Sequence, residues 1–324
     1  MKILVTGSAG HLGEALMRTL QRSDHDAVGV DILASPFTTH VGSITDSAFI
    51  ASCITNVDAV IHTATLHKPH VESHSKQDFI DVNVTGTLNL LEMAHAGDVN
   101  RFIFTSTTSA FGNALTPPKG APAAWITEDV VPVPKNIYGV TKVAAEDLCE
   151  LFHKLHGLPC IVLRTSRFFP EDDDSAATRD EFDGVNAKVN EILFRRIDIE
   201  DAVSAHLAAI KCAPEIGFGR YIISATSPFT QDDLAELRRD APAALRRHKD
   251  FDTDYKQLGW RMFPSIDRVY VNAHARVDLG WRPAYDFASI LERLRVGEPP
   301  FSKLAYEVGV KGYHPEAQKV YPFN

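Results

Sequence analysis

Few cysteines, no basic block and no long apolar run are the first things this chain lacks. Its four cysteines, Cys53, Cys149, Cys160 and Cys212, are scattered without CxxC spacing, so neither a disulfide framework nor a thiolate zinc site is expected. Basic residues number 33 against 42 acidic ones, a net charge of −9, which points away from nucleic acid as a partner. No apolar stretch approaches the roughly 18 residues of a membrane span, and a strand-like run starts at Lys2, leaving no room for a leader ahead of it. Fixed-period repeats and low-complexity segments are also missing. What remains is 324 residues, 44% hydrophobic and 23% charged, enough for a large core and one or two domains. A cytoplasmic protein with no membrane partner is the expectation.

The chain is organised around its first thirteen residues. Lys2-Ile3-Leu4-Val5 has strand character, and Thr6-Gly7-Ser8-Ala9-Gly10-His11-Leu12-Gly13 follows at once. Leu12, Ala15, Leu16, Thr19 and Leu20 then recur at helical spacing. A strand, a glycine turn and a helix N-terminus make an anion-binding corner: Gly7 for the turn, Gly10 for close approach to a pyrophosphate, Gly13 for helix–sheet packing. Glycines at this spacing also mark plain βα turns, so the rest of the chain has to decide. Ala27 to Asp31 is a second strand ending on a carboxylate, placed to accept hydrogen bonds from an adenosine ribose. No arginine follows it closely, which favours NAD over NADP.

Further strands are expected at 40–44, 58–62, 101–106, 159–164 and 221–224, with helices at about 78–95, 138–156 and 202–212. Shorter helices are expected near 232–239, 272–279 and 287–293, before a polar tail ending Val320-Tyr321-Pro322-Phe323-Asn324. That alternation predicts a doubly wound α/β fold with a parallel sheet and a ligand crevice at the carboxyl ends of its strands. The hydroxyls at Thr105 to Ser109 would line the crevice. Residues 112–136, rich in proline and glycine, predict a long surface loop, and the acidic run 171–174 a solvated one.

Tyr138 and Lys142 stand four residues apart, on one face of the expected helix. A free tyrosine has a pKa near 10, about three units too high for a base at neutral pH. A nearby ammonium and an oxidised nicotinamide would both lower it. Such a pair is also common on helix surfaces with no role. His62 ends a strand and is expected to be a packed residue. His67, His70 and His74 have spacings that could suit a metal, but Pro69 interrupts the helix that would present them, and no metal site is expected.

Taken jointly, these pieces resemble the extended short-chain dehydrogenase/reductases, the NAD-dependent epimerase/dehydratase group. The resemblance rests on TGSAGHLG at 6–13, VD at 30–31, DAVIHTA at 58–64, NVTGTLNLLE at 83–92, FTSTTSAFG at 104–112, YGVTK at 138–142, RRIDIEDA at 195–202 and DLGWRP at 278–283. It implies a Rossmann sheet over residues 1–165 and about 198–224, with a smaller, mostly C-terminal α/β substrate region at 166–197 and 225–324. It implies Tyr138 as acid/base, Lys142 as its pKa tuner and ribose clamp, and Thr107 as the hydroxyl on the reacting oxygen, with Thr108 as the fallback. The cofactor NAD would be held by Gly7, Ala9, Gly10, His11, Leu12, Gly13, Asp31, Ser43, Ile44, Thr63, Ala64 and Thr105, together with Tyr138 and Lys142. Ser106 and the stretch after Arg164 would also face it.

Three departures narrow the function. Thr108-Ser109 stand where the family's dehydratases carry an Asp-Glu pair, which argues against 4,6-dehydration. Arg167 replaces the asparagine usual in sugar-nucleotide epimerases. Only some thirty residues separate Arg164 from Arg195, shorter than in members that grip UDP or TDP. Arg167, Arg195 and Arg261 are candidates to engage an anionic group, and His67 and His70 to read substrate hydroxyls. The expectation is a homodimeric sugar or nucleotide-sugar epimerase acting by transient oxidation of a secondary alcohol. The alternatives are a dehydrogenase of a smaller sugar-like alcohol and a non-catalytic dinucleotide-binding protein.

Overall fold

The computed structural model describes residues 1–173 and 175–312; Asp174 and the tail ending at Asn324 lie outside them. Apolar, β-branched runs form β1 (Lys2–Thr6), β2 (Asp26–Asp31), β3 (His40–Val41), β4 (Ala59–His62), β5 (Phe102–Thr107), β7 (Cys160–Thr165) and β8 (Phe218–Ile223). They make one parallel sheet in the order β3-β2-β1-β4-β5-β7-β8. Side chains alternate across it with the two-residue period of a strand. Ile3, Val5, Ile61, Ile103 and Leu163 pack under α1 (His11–Gln21) and α8 (Ile199–Ile216). Leu4, Val60, Phe102, Phe104 and Val162 face α2 (Ser47–Cys53), α4 (Gly86–Ala96) and α5 (Ile137–His156). Covering both faces is what lets an all-parallel sheet bury its strands completely.

The helix expected at 78–95 is broken into α3 (Lys76–Ile80), a π turn at Asp81–Thr85 and α4. α5 starts where the Asn136 side chain accepts the Gly139 N–H at 3.0 Å and stops at Gly157, whose φ is +69°.

A second core gathers Val189, Ile192, Leu237, Leu245, Phe251, Val269, Phe287 and Ile290. It is built on the helices at Gly184–Ile192, Ala241–Arg246, Asp252–Leu258 and Phe287–Arg295. The 112–136 segment is not wholly loop: β6 (Ala124–Ile126) pairs in parallel with β9 (Arg268–Tyr270). Three residues bonded to a partner about 140 positions away leave no periodic signal in the sequence. The helix at Lys303–Val308 returns to the main sheet, where Leu304 and Val308 join the α1 side of its core.

Candidate active site

The strand order reverses between β1 and β4, and at that reversal the chain turns sharply. Gly7 adopts φ +75°, and its N–H donates to Val30 O at 2.8 Å. A Cβ on Gly13 would lie 1.9 Å from Gly7 O, so α1 can approach the turn only with glycine there. Asp31 closes the corner. Its carboxylate accepts Ala9 N–H and Leu33 N–H, each at 2.9 Å. Burial raises its pKa, while those bonds and the charge of Lys311 oppose the rise. Lys311 also binds Glu14 and donates its backbone N–H to Glu171 at 3.0 Å. A basic residue is therefore brought to Asp31 from the far end of the chain, which sequence proximity did not show.

A cleft of about 740 Å³ runs from this corner across the strand ends. Gly7, Ala9, Gly10, His11, Leu12, Gly13, Asp31, Ser43, Ile44, Thr63, Ala64, Thr105, Thr107 and Tyr138 line it, as do His67, His70, Thr108, Arg167 and Arg195. Lys142 lies beneath the lining, its Nζ donating to Thr105 O at 2.6 Å and resting 4.0 Å from the centre of the Phe104 ring. Burial lowers its pKa to about 7. Tyr138 is buried and its hydroxyl pushed up to about 12, while a hydrogen bond with Thr107 works the other way.

Two hydroxyls expected to face the cofactor are directed elsewhere. Thr105 Oγ1 pairs with His206 Nε2 at 2.8 Å, and Ser106 Oγ donates to Glu146 at 2.5 Å. Glu146 is also held by Arg164 at 2.7 Å in a pair that is almost fully buried. Sequence reasoning missed this pair, although Glu146 continues the Tyr138–Lys142 spacing by one more helical turn. His62 packs as expected, buried between Thr6 at 2.8 Å and Thr87 at 3.0 Å, and burial keeps it neutral.

The histidine segment caps the cleft. His67 stacks on Phe169 with centroids 5.6 Å apart, and its N–H donates to His70 Nδ1 at 3.1 Å. Burial lowers the pKa of both rings, that of His70 to about 4. Among the described residues, no group of three His, Cys, Asp or Glu side chains is arranged to hold a metal.

The acidic run departs most from expectation. Glu171 is buried with a carboxylate oxygen 2.9 Å from His11 Nε2, and Asp173 binds Arg195 at 2.9 Å and Arg167 at 3.4 Å. Glu171 is drawn in by a partner 160 residues away, and Asp173 by Arg195, 22 residues on, together with its near neighbour Arg167. Arg195 and the buried Arg196 also share Glu191, which they and Arg167 hold well below the usual carboxylate range against the effect of burial. Arg167 and Arg195 therefore do not stand ready for an anion as expected. Arg261 lies outside the cleft, bonded to Glu181 O and set against the Phe182 ring.

Doubly wound sheets take dinucleotides in the crevice where strand order reverses, and the glycine cradle and Asp31 suit that ligand. The protein is of this dinucleotide-binding class. Within it, the chain belongs to the NAD-dependent epimerase/dehydratase family, whose model matches residues 3–216, and its cofactor is NAD. An uncharacterised UDP-glucose epimerase of Bacillus subtilis is 29% identical over 185 residues, 51% of this chain and 55% of the relative. A dTDP-glucose 4,6-dehydratase of Actinoplanes sp. is 28% identical over 321 residues, 89% and 94% of the two chains. The solved UDP-glucuronic acid 4-epimerase of Bacillus cereus, in complex with UDP-glucuronic acid and NAD, aligns with a TM-score of 0.63 at 22% identity, covering 90% and 97% of the chains. The chain spans about half the length of the first curated relatives it matches. Among the described residues, no helix is long and apolar enough to cross a membrane.

Proposed function

We propose that this protein is a sugar epimerase that transiently oxidises a secondary alcohol, with Tyr138 as acid/base. The observation that carries the reading is the Tyr138–Thr107 hydroxyl pair, set in the same cleft as the glycine corner. NAD would be held by the Gly7–Gly13 corner and Asp31, and when bound and oxidised it supplies a hydride acceptor and a positive ring. Tyr138 takes the substrate's hydroxyl proton at its Oη and returns it when the ketone is reduced on its other face. Thr107 holds the reacting oxygen. Moving the phenol from about 12 to near 7 requires roughly 7 kcal/mol of preference for the phenolate. A bound cationic ring would act in that direction, and Lys142 would add to it when protonated. Lys142 has three N–H donors and gives one to Thr105 O, which leaves donors for the nicotinamide ribose. Thr108-Ser109 after Thr107 offer no carboxyl pair for dehydration.

A second reading, a dehydrogenase of a smaller sugar-like alcohol, is favoured by the carboxylates already engaging Arg167 and Arg195. We also infer a homodimer through the α4–α5 side, where α5 exposes the apolar Val140, Leu151 and Leu155 while Leu90 and Leu91 of α4 are buried in the core. The test of the main reading is Tyr138→Phe, assayed for sugar isomerisation and NADH release together. Turnover should fall at least a hundredfold with NAD affinity retained; unchanged turnover refutes the role. Isomer formed without net NADH identifies an epimerase, and stoichiometric NADH a dehydrogenase.

A further inference from the structure

Beyond Tyr138 and Thr107, the cleft ends among Arg167, Asp173, Ser175, Arg195, Arg268 and Tyr270. A site for a nucleotide diphosphate needs guanidinium groups available to two adjacent anionic phosphates. Here each arginine of the lining already has a carboxylate. Asp173 Oδ2 receives Arg195 Nη2 at 2.9 Å and Arg167 Nη1 at 3.4 Å. Glu191 takes Arg195 as well, at 2.5 Å. Arg268 Nη1 lies 3.0 Å from both oxygens of Asp267.

Asp173 is fixed rather than swinging. Its Oδ1 accepts Ser175 N–H at 2.8 Å, and its side chain is only 10% exposed. The other cation of the lining, Lys68, stands exposed on the histidine segment. A phosphate entering between the arginines would meet a carboxylate in a partly desolvated pocket, and like charges at that range repel strongly. The remaining groups suit neutral hydroxyls. Asp173 takes three hydrogen bonds, which leaves a lone pair to accept an O–H, and Tyr270 of the lining carries a hydroxyl of its own.

We propose that Asp173, by occupying Arg167 and Arg195, makes this end of the cleft selective for a free sugar and excludes a nucleotide diphosphate. The proposal rests on the sugar-oxidising reading of the same cleft and supplies its substrate class. It also makes Asp173 a specificity-determining residue.

The test is calorimetric titration of NAD-loaded protein with UDP and with UDP-glucose, in the wild type and in Asp173→Asn. The wild type should show no saturation below about 1 mM, and Asp173→Asn should bind UDP at least tenfold more tightly. Micromolar binding of UDP by the wild type overturns the proposal. So does an Asp173→Asn protein that is folded, as judged by NAD affinity and thermal midpoint, yet gains nothing. Should that variant misfold, Asp173→Ser takes its place, and the wild-type titration decides independently of either. Neither titration requires turnover, so a failure here is separable from a failure of the Tyr138 mechanism. In a parallel turnover assay, D-galactose or D-glucose should react where UDP-glucose does not.

Discussion

The charge at Asp31 sets how strongly the protein prefers NAD to NADP, and it can be removed without dismantling the corner. Asp31→Asn keeps one side-chain oxygen for the Ala9 or Leu33 N–H, both of which Asp31 accepts at 2.9 Å. In the wild type, a 2′-phosphate would lie beside this carboxylate. A unit pair of like charge at about 4 Å costs about 4 kcal/mol at an effective dielectric near 20, nearly a thousandfold in affinity. Lys311 offsets part of that, because its charge acts on the same carboxylate, and solvent screening removes more. The net expectation is at least about a tenfold preference for NADH over NADPH. Asp31→Asn should lower NADH affinity and raise NADPH affinity until the two are similar. Lys311→Ala should widen the wild-type preference, since it removes the compensating cation. Fluorescence titration of both reduced cofactors on the three proteins reads all of this. Equal affinities in the wild type, or a Lys311→Ala protein that becomes less selective, would refute the electrostatic account.

Three further outcomes are expected. Lys142 has a folded pKa of about 7 against an unfolded value near 10.4, so the unfolded chain holds more protons between those pH values and stability should rise from pH 7 towards 10. Denaturant unfolding of wild type against Lys142→Met would show that slope disappear. Glu146→Ala strands the buried Arg164 guanidinium and should cost about 3–5 kcal/mol, read as a fall in urea midpoint. Sedimentation at micromolar concentration should give the mass of two chains; one chain would remove the α4–α5 interface.

Local signals carried the fold. A glycine turn between a strand and a helix needs only neighbouring residues, so Gly7 to Gly13, Asp31 and the strands of the main sheet could be placed from their immediate sequence. Helical spacing put Tyr138 and Lys142 on one face, and their roles came only from the resemblance. The rest depends on partners that meet only after folding. Glu171 and Asp173 read as a solvated run because His11 and Arg195, which draw them inward, lie 160 and 22 positions away. β6 is three residues long and has meaning only beside β9. The direction of the Thr105 and Ser106 hydroxyls was set by His206 and Glu146, neither of which the motif contains.

The π turn at Asp81–Thr85 presents Asn83 to two segments at once. Its Oδ1 accepts Leu66 N–H at 2.8 Å and the Thr65 hydroxyl at 2.9 Å, while its Nδ2 donates to Leu66 O at 2.9 Å and to Thr141 Oγ1 at 3.0 Å. All four bonding positions of one buried amide are thereby used to rivet the loop after β4 to the helix that carries Tyr138. Separating those parts would strand buried polar groups at about 1–3 kcal/mol each. That wall of the cleft behaves as an anvil. The opposite wall is held by charge instead, with Arg167 and Arg195 both meeting Asp173.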